Sequence, residues 1–398
     1  MTLISMKQKN IVKNVCVVTG SRAEYGLLRP LLRRIRERLD MRLRLVVTGM
    51  HLRAEFGNTI CEIEDDGFAV DARLDTLMSS DAPAGTVKSV GLGMLAFADY
   101  FSAKKPDILI VLGDRFEIFA AASAAAIMRV PVAHICGGDV SEGAADEFFR
   151  HSITKMSALH FPSNDVSMRR LIRMGESPDR VYNVGALNVE CIRSASLLTP
   201  TRLESDLGIS LDAPYALATY HPETLTGAPP TAGLTAMLDA LGQFKDIQFI
   251  FTKANADSGG REINDALERR CERTESFRLF TSLGSLRYLS LMRGAKAVVG
   301  NSSSGLYETP VFGVPAVNIG DRQKGRHCPD NVINCKPVYD DIVIAVKKAL
   351  TDEFAQFAKT VRNPYGDGDT SRQIAKRVAE FLRRERNDAA KAFYDGPL

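Results

Sequence analysis

Short apolar runs alternate with longer segments of helical periodicity through the first half of the chain. The apolar runs end in Gly or Asp and cover residues 14–20, 42–49, 107–114 and 130–138. Between them, apolar positions recur every three to four residues, as in 27–39 and 117–128. Continuous apolar strands that alternate with helices are typical of a parallel sheet covered on both faces. The first half is therefore predicted to be a Rossmann-like α/β domain.

The second half repeats this alternation. Its apolar runs cover residues 215–222, 247–255, 277–283, 295–303 and 315–320. A polar stretch with two prolines, 197–214, separates the halves and is interpreted as the joint between them. We therefore expect domains at 1–196 and 197–370, with an amphipathic helix at about 371–391 that packs back onto the first. Two doubly wound sheets would face a central cleft, where open α/β sheets bind ligands.

Composition narrows the class of protein. Hydrophobic residues make up 45% and charged residues 25% of the 398 residues, and the net charge is +3, which argues against nucleic-acid or anionic-membrane partners. The seven cysteines form no C-x-x-C pair and no zinc-binding spacing, as expected of buried thiols in a reducing cytoplasm. The chain contains neither a signal-peptide run nor 18 consecutive apolar residues, so we expect a cytoplasmic protein.

Polar clusters follow nearly every predicted strand. They are "TGSRAEYG" (19–26), "GDRFE" (113–117), "GGDVSEGAADEFFRH" (137–151), "YHPET" (220–224), "KANADSGG" (253–260), "GNSSSG" (300–305) and "GDRQKGR" (320–326). Taken singly, each is ordinary turn and cap chemistry. Together they bring several arginines, carboxylates and a histidine to the rim of the expected cleft, and structural capping does not require that mixture.

The cluster "GNSSSGLYE" (300–308) is typical of a phosphate-binding turn, because small residues between a strand and a helix expose backbone N–H groups. Glu308 falls one turn into the helix, where it could accept from ribose hydroxyls. Arg322 would supply a bidentate guanidinium to the same phosphate. The chain has no Walker motif and no intact G-x-G-x-x-G, so a nucleoside diphosphate is favoured over ATP hydrolysis or NAD. The alternative is a plain serine N-cap.

The first half offers complementary chemistry. Arg22 opens a predicted helix, and Asp114 and Arg115 come directly after a buried strand. A carboxylate in that place is partly desolvated, which moves its pKa toward the range useful for proton transfer. The alternatives are a helix-surface charge for Arg22 and a helix cap for Asp114, although Glu117 suits the capping role better.

With these motifs in place, the sequence resembles the hydrolysing UDP-N-acetylglucosamine 2-epimerases and their relatives that act on UDP-2,4-diacetamido-2,4,6-trideoxyglucose. The similarity runs from about Val15 to Gly368. It rests on "SRAEYG", "VLGDRFE", "GGDVSEGAADEFFRHSITK", "HPET", "NADSGG", "GNSSSGLYE" and "NIGDRQKGR", in that order. The resemblance implies a GT-B-like fold, two Rossmann-like domains with the nucleotide sugar between them.

The family reaction has two steps and requires neither a redox cofactor nor a metal. The C2 proton is removed as UDP leaves C1, and water then adds to the 2-acetamidoglucal with inverted configuration at C2. UDP-GlcNAc is the expected substrate, and the diacetamido sugar is the alternative. Other readings are a GT-B glycosyltransferase, a non-hydrolysing epimerase, and a non-catalytic nucleotide-sugar sensor. The family also suggests a homodimer or a dimer of dimers.

The resemblance implies catalytic roles for Asp114 as acid or base, for the pair Asp146 and Glu147, and for His221, which would stabilise charge as the C1–O bond breaks. Asp146 and Arg150 are i,i+4 neighbours on a helix and can face the same cleft. The UDP-binding residues implied are Arg22, Arg115, Arg150, Ser302, Ser303, Glu308 and Arg322.

One position departs from the family pattern. Several members have Glu in "H-I-E-G-G", where this chain has Cys136 in "HICGGD". A thiol exchanges protons only if its pKa is lowered, and a small buried residue is the alternative interpretation. Asp139, or the pair Asp146 and Glu147, would then carry the proton transfers.

Overall fold

The computed structural model describes residues 12–78, 83–140, 146–222, 231–254, 260–384 and 390–397. The chain forms two compact units: unit 1 is Met1–Glu190 with Gly366–Leu398, and unit 2 is Cys191–Tyr365. The division falls at 190/191 and 365/366, whereas the sequence placed it at 196/197 and 370/371. No helix in the described ranges is long and apolar enough to span a membrane.

Unit 1 is built on a six-stranded parallel sheet. Its strands are β1 (Lys13–Thr19), β2 (Met41–Thr48), β3 (Val70–Leu74), β4 (Ile108–Leu112), β5 (Val132–Ile135) and β6 (Leu159–Phe161). They are ordered β3-β2-β1-β4-β5-β6, with β1 and β4 paired in register from Val15 and Ile108. The strand order reverses between β1 and β4, which makes the carboxyl ends of these strands the place for a ligand.

Helices cover both faces of this sheet. They are α1 (Arg22–Arg36), α2 (Ile60–Asp65), α3 (Pro83–Ala103), α4 (Phe116–Ile127), α5 (Asp146–Met156), α6 (Asp165–Arg173) and α7 (Leu187–Ser194), the last of which crosses the unit boundary. α1 begins at Arg22, before the helical periodicity that the sequence shows from residue 27, because Ser21 caps the helix. The Ser21 hydroxyl accepts from Glu24 N at 3.4 Å, and the Glu24 carboxylate accepts from Gly20 N at 2.7 Å.

Unit 2 carries a second six-stranded parallel sheet. Its strands are β7 (Tyr215–Thr219), β8 (Gln248–Thr252), β9 (Phe277–Phe280), β10 (Val298–Gly300), β11 (Ala316–Ile319) and β12 (Val332–Cys335). They are ordered β12-β11-β10-β7-β8-β9, which from the other edge is the strand order of unit 1. Gly300 ends β10 with φ of 137°, and a Cβ there would lie 1.8 Å from Thr219 O, so only glycine allows β10 and β7 to approach this closely.

The helices of unit 2 are α8 (Pro200–Leu207), α9 (Ala232–Leu241), α10 (Gly260–Cys271), α11 (Gly284–Gly294), α12 (Ser304–Tyr307), α13 (Thr309–Phe312), α14 (Tyr339–Ala349) and α15 (Asp352–Thr360). The stretch 197–214, which was interpreted as the joint, lies within unit 2, and α8 occupies its middle. Thr199 caps α8, Pro200 is its first residue, and Gly208 ends it in the left-handed region.

The C-terminal segment returns to unit 1. α16 (Thr370–Leu382) buries Ile374, Val378 and Phe381 against the core that α1 also covers. The helix was predicted to continue to about 391 but ends at Leu382, because no apolar residue follows until Ala389. Residues 390–397 are not helical, and Lys391 is anchored there by Glu176 at 2.5 Å.

Candidate active site

Carboxylates gather around one buried guanidinium at the ends of β4 and β5. Arg150 on α5 donates to Asp114 through Nη2, to Glu147 Oε2 at 3.0 Å through Nη1, and to the carbonyl of Asp139 at 2.9 Å. The Arg150 side chain is 8% exposed, so these charge-assisted bonds are poorly screened. His151 Nε2 lies 2.8 Å from the other oxygen of Glu147. The structure therefore brings Asp114, Glu147 and Arg150 together. Arg150 pairs with Glu147, whereas the sequence analysis placed Asp146 on the same helix face as Arg150.

Asp146 is the first residue of α5 and remains exposed. Partial burial, followed by the negative charge of Asp114, raises its pKa above the ordinary value. Among the described residues, Asp146 has no hydrogen-bond or ion-pair partner. It is a carboxyl group with a raised pKa, beside Asp114, that is open to a ligand.

A second buried cluster surrounds Arg115, at the start of α4. Arg115 donates to both oxygens of Glu117, at 2.8 and 3.2 Å, and lies 3.9 Å from Glu24. Burial raises the pKa of Glu24 to about 7. Arg22 lies apart from this cluster, since its exposed guanidinium pairs with Glu62 at 2.9 Å. The structure thus orients Arg115 and places Arg22 at the surface.

Asp139 and Cys136 follow β5 but have different surroundings. The Asp139 carboxylate accepts from the hydroxyls of Ser163, at 3.4 Å, and Ser167, and its carbonyl accepts from Arg150. The Cys136 thiol packs against the core of unit 1, and burial raises its pKa. This geometry favours structural roles for both residues.

A buried histidine that the sequence did not single out supports the Asp114 turn. His134 Nε2 lies 2.8 Å from the carbonyl of Gly113, and its Nδ1 lies 3.3 Å from the Thr154 hydroxyl. Burial lowers its pKa to about 3, so the ring is neutral and donates one proton to Gly113. His134 therefore fixes the turn that carries Asp114.

Unit 2 contains a cavity of about 430 Å³, here called the serine cavity, at the ends of β7, β8 and β10. Its lining comprises Thr219, His221, Thr252, Lys253, Thr281, Ser282, Leu283, Gly284, Ser285, Tyr288, Leu289, Ser302, Ser303, Ser304 and Glu308. Four of the predicted residues, His221, Ser302, Ser303 and Glu308, thus share one cavity. Its many hydroxyl groups suit a polar ligand such as a nucleotide.

Asn301, which the sequence analysis passed over, holds two of these loops together. Its side chain accepts from His221 N at 2.7 Å and donates to His221 O at 2.9 Å. The carbonyl of Asn301 accepts from Arg322 Nη1 at 3.2 Å and from Gln323 Nε2 at 2.8 Å. Arg322 is thereby placed beside the Ser302 loop.

Glu308 was expected one turn into a helix, but it lies between the short helices α12 and α13. Ser304 Oγ donates to its carboxylate at 2.5 Å, and burial raises its pKa. Tyr288, whose own pKa burial raises to about 12, lies 3.1 Å from the same serine hydroxyl. Glu308 is a buried acceptor at the cavity wall, as ribose recognition would require.

Parts of three predicted motifs lie outside the described residues: 141–145 of "GGDVSEGAADEFFRH", Glu223 and Thr224 of "HPET", and 255–259 of "NADSGG". Within the described ranges, no three His, Cys, Asp or Glu side chains form a metal-binding group. Glu24 was missed as a buried group although Ser-x-x-Glu is a capping signature. Asn301 carried no comparable signal, because its role depends on a loop 80 residues away.

The sequence model of the family described as UDP-N-acetylglucosamine 2-epimerase matches residues 33–379. The chain belongs to this family. Three relatives make the likeness specific. A Campylobacter jejuni protein named GDP/UDP-N,N'-diacetylbacillosamine 2-epimerase (hydrolyzing) is 41% identical over 86% of this chain and 89% of its own length. A Legionella pneumophila protein named UDP-N,N'-diacetylbacillosamine 2-epimerase (hydrolyzing) is 33% identical, over 91% and 94%. Polysialic acid biosynthesis protein P7 of Escherichia coli is 37% identical, over 97% and 98%.

Solved structures of this epimerase family have the same fold. The Neisseria meningitidis UDP-GlcNAc 2-epimerase bound to UDP-GlcNAc superimposes with a TM-score of 0.77 at 17% identity, over 92% of this chain and 100% of that one. The Methanocaldococcus jannaschii UDP-GlcNAc 2-epimerase gives 0.72 at 16%, over 92% and 99%. The predicted fold class, two Rossmann-like domains of GT-B type, is confirmed.

Proposed function

We propose that this protein is a hydrolysing UDP-sugar 2-epimerase that releases UDP and a free 2-acetamido sugar of inverted C2 configuration. The observation that carries the proposal is the Asp114–Arg150–Glu147 cluster. Asp146 lies beside it and is unpaired among the residues that the structure describes. Abstraction and return of a proton at carbon needs two positioned acid–base groups, and this cluster offers them. The hydrolysing relatives support the same reaction class.

In the first step, a base removes the proton from C2, a C1=C2 double bond forms, and the C1–O bond breaks to release UDP. In the second step, water adds its oxygen to C1 while an acid delivers a proton to the opposite face of C2. Overall, one UDP-sugar and one water give UDP and one free sugar.

Two carboxyl groups of unit 1 carry out the two proton transfers, one as the base and the other as the acid. Asp114, which pairs with Arg150, acts as the base. Asp146 acts as the acid in the hydration step, because its raised pKa keeps a larger fraction of it protonated. Glu147 orients Arg150, and Arg115 contributes positive charge to the departing diphosphate.

The side chains of unit 2 hold the nucleotide. Ser302 and Ser303 bind phosphate oxygens, Glu308 accepts from the ribose, and Arg322 pairs with the diphosphate. His221, fixed by Asn301, stabilises the charge that develops as the C1–O bond breaks. Burial of Glu308 makes it a strong acceptor for a hydroxyl donor.

For the substrate, we propose UDP-N,N'-diacetylbacillosamine, which is UDP-2,4-diacetamido-2,4,6-trideoxyglucose. The relatives at 41% and 33% identity carry that sugar in their names. UDP-GlcNAc is the second candidate, because the Neisseria meningitidis relative named UDP-N-acetylglucosamine 2-epimerase is 30% identical over 96% of this chain.

Proton NMR in D2O, with each UDP-sugar supplied separately and no acceptor, tests the reaction. We expect UDP and a manno-configured free sugar with deuterium at C2, formed faster from the diacetamido substrate. Asp146→Asn should lower the rate by about 100-fold or more, since general acid–base groups contribute about 10²–10⁴. Asp165→Asn, at the start of α6 in the same unit, is the matched control and should leave the rate unchanged.

Each failure has its own meaning. Intact UDP-sugars in both tubes would refute the reaction class and favour a transferase or a sensor. An epimerised sugar that keeps its UDP would favour the non-hydrolysing reaction. A wild-type rate in Asp146→Asn would leave the reaction standing and remove Asp146 from it.

We also propose that the protein is a homo-oligomer. Large apolar side chains are exposed on three helices of unit 1 that pack side by side, α3, α4 and α5: Val87, Leu95, Ile127 and Phe148. Large apolar side chains exposed on neighbouring helices are typical of an interaction surface.

A further inference from the structure

A second cavity of unit 2, of about 780 Å³, has no part in the reaction proposed above. It lies at the ends of β11 and β12, between the loop Gly320–Arg326 and residues 334–337. We call it the basic cavity, after Lys324, Arg326 and Lys336 in its wall. Its volume falls in the range of about 300–1,000 Å³ that is typical of small-molecule sites.

The basic cavity is distinct from the serine cavity. Leu306 of α12 lines the basic cavity, whereas Ser304 and Glu308, at either end of the same helical turn, line the serine cavity. After β7, Tyr220 lines the basic cavity and His221 the serine cavity. No described residue lines both.

The charges of the basic cavity favour an anion. Among the described residues, Lys324, Arg326 and Lys336 form no ion pair with a carboxylate. Asp321 and Asp341 also line the cavity, so three cations against two carboxylates leave one net positive charge. The Lys and Arg side chains are therefore available to a negatively charged group of a ligand.

The geometry of Asn318 also favours a ligand that donates a hydrogen bond. Asn318, on β11, is 7% exposed and lines the cavity. Its Nδ2 donates to Asn334 Oδ1 at 2.9 Å, while its Oδ1 is buried and has no hydrogen-bond partner in the part of the chain that the structure describes. Most buried polar atoms in folded proteins have a hydrogen-bond partner, so an unpaired one calls for an explanation.

We propose that the basic cavity binds a second small molecule, an anion that also carries hydroxyl or amide donors, such as a phosphorylated or carboxylated sugar. The anionic group pairs with Lys324, Arg326 and Lys336. A hydroxyl or amide N–H of the same molecule donates to Asn318 Oδ1. An inorganic ion satisfies only the first requirement, and a neutral sugar only the second.

The basic cavity is connected to the serine cavity by hydrogen bonds. Arg326 Nη1 donates to Gln323 Oε1 at 2.7 Å, and Gln323 Nε2 donates to the Asn301 carbonyl at 2.8 Å. Asn301 in turn holds His221. An anion that draws Arg326 away from Gln323 therefore changes the affinity of the serine cavity for its ligand. This coupling rests on the proposed function, whereas binding in the basic cavity does not.

Isothermal titration calorimetry on the full chain tests the proposal, with glucose 6-phosphate, glucuronate and neutral glucose as probes, each in saturating UDP. We expect at least one of the two anions to bind and glucose not to bind, and the tighter anion names the anionic group. Lys336→Glu should weaken anion binding about tenfold, and Asn318→Leu should weaken it as well. Lys347→Glu, on α14 outside the cavity wall, makes the same charge change and should have no effect.

The proposal is overturned if neither anion binds, or if an anion binds equally well to wild type and Lys336→Glu. It is also overturned if an anion binds without UDP but not in saturating UDP, because the anion would then occupy the serine cavity. Titration of UDP without any probe separates the two proposals. Absence of UDP binding would contradict the nucleotide role of the serine cavity, while leaving anion binding in the basic cavity measurable.

Discussion

Cys136 has a φ of 63°, which lies in the left-handed region. Residues other than Gly, Asn and Asp seldom adopt this backbone conformation. Its thiol packs against the core of unit 1, and burial, followed by the charges of Asp139 and Asp114, raises its pKa. The thiol is therefore protonated at neutral pH and cannot serve as a base. Cys136 thus occupies the position at which several family members have Glu, but it does not supply an acid–base group.

Cys136→Ala should consequently keep the epimerase rate within about twofold, because an acid–base residue would contribute about 100-fold or more. The pH profile of kcat should also be unchanged, since no titrating thiol is removed. Steady-state UDP release across pH 5–9 checks both. Cys61→Ala, at an exposed thiol on α2, is the matched control. A 100-fold loss specific to Cys136→Ala would show that the thiol takes part in the reaction.

At the same scale, the residue types of the site could be predicted from the sequence, but their partners could not. Asp114 was singled out because it follows a buried strand, and it does lie in the carboxylate cluster. Arg22 was chosen by similar reasoning, yet it pairs with Glu62, 40 residues away. Which side chains meet is decided by packing of distant segments, and local pattern does not contain that information.

Among the elements, the central strands were predictable and most edge strands were not. The strands that the sequence analysis omitted, β3, β6 and β12, all lie at an edge of their sheets. β3 has no fully buried residue and includes Asp71 and Arg73, while β6 has only three residues. An edge strand has one neighbour and tolerates polar side chains, so the continuous apolar run that marks a central parallel strand is absent.

The segment after α16 is held by a buried charge cluster. Glu176 is 1% exposed; Lys391 donates to it at 2.5 Å, Lys155 at 2.7 Å, and His160 Nε2 lies 2.8 Å away. Burial alone would raise the pKa of Glu176, but His160 and the two ammonium groups lower it to about 2, from 4.5. Because the folded-state pKa is depressed, the stabilisation is present above about pH 4.5 and is lost as the pH falls toward 2.

Lys391→Ala should therefore lower the free energy of unfolding by about 2 kcal/mol at pH 7, less than for a fully buried pair because Lys155 remains. The difference from wild type should shrink at pH 3, where Glu176 approaches its pKa. Urea unfolding at both pH values measures this. Lys376→Ala, an exposed lysine on α16, should cost under about 0.5 kcal/mol. An equal loss at pH 7 and pH 3 would mean that Lys391 acts through packing alone.

For the whole molecule, the repeated strand order explains why the sequence indicated the fold so clearly. The central pair of strands is β1 and β4 in unit 1 and β7 and β10 in unit 2. In both units a candidate residue follows one of these strands: Asp114 follows β4, and Ser302 follows β10. Gly and polar residues mark the strand ends in the sequence, so the segments that contain the candidate site residues can be predicted. Association between copies leaves no such mark, because an exposed Leu and a buried Leu look alike in a sequence.

The apolar surface on α3, α4 and α5 carries the prediction for assembly. Val87 and Leu95 are 71% and 67% exposed and are eight residues apart, so they lie on one face of α3. Phe148, on α5, is 77% exposed. A charge buried at an oligomer interface without a partner costs several kcal/mol, so Leu95→Glu should shift the protein toward monomers. Sedimentation velocity measures the mass of each species.

Leu39→Glu is the matched control for this experiment, since Leu39 is 94% exposed and lies beyond the end of α1, away from these three helices. It should leave the sedimentation coefficient of wild type unchanged. If wild type and Leu95→Glu both sediment as the same oligomer, a different surface mediates association. If both are monomers, the exposed apolar face of α3 has no partner copy, and the homo-oligomer proposal is wrong.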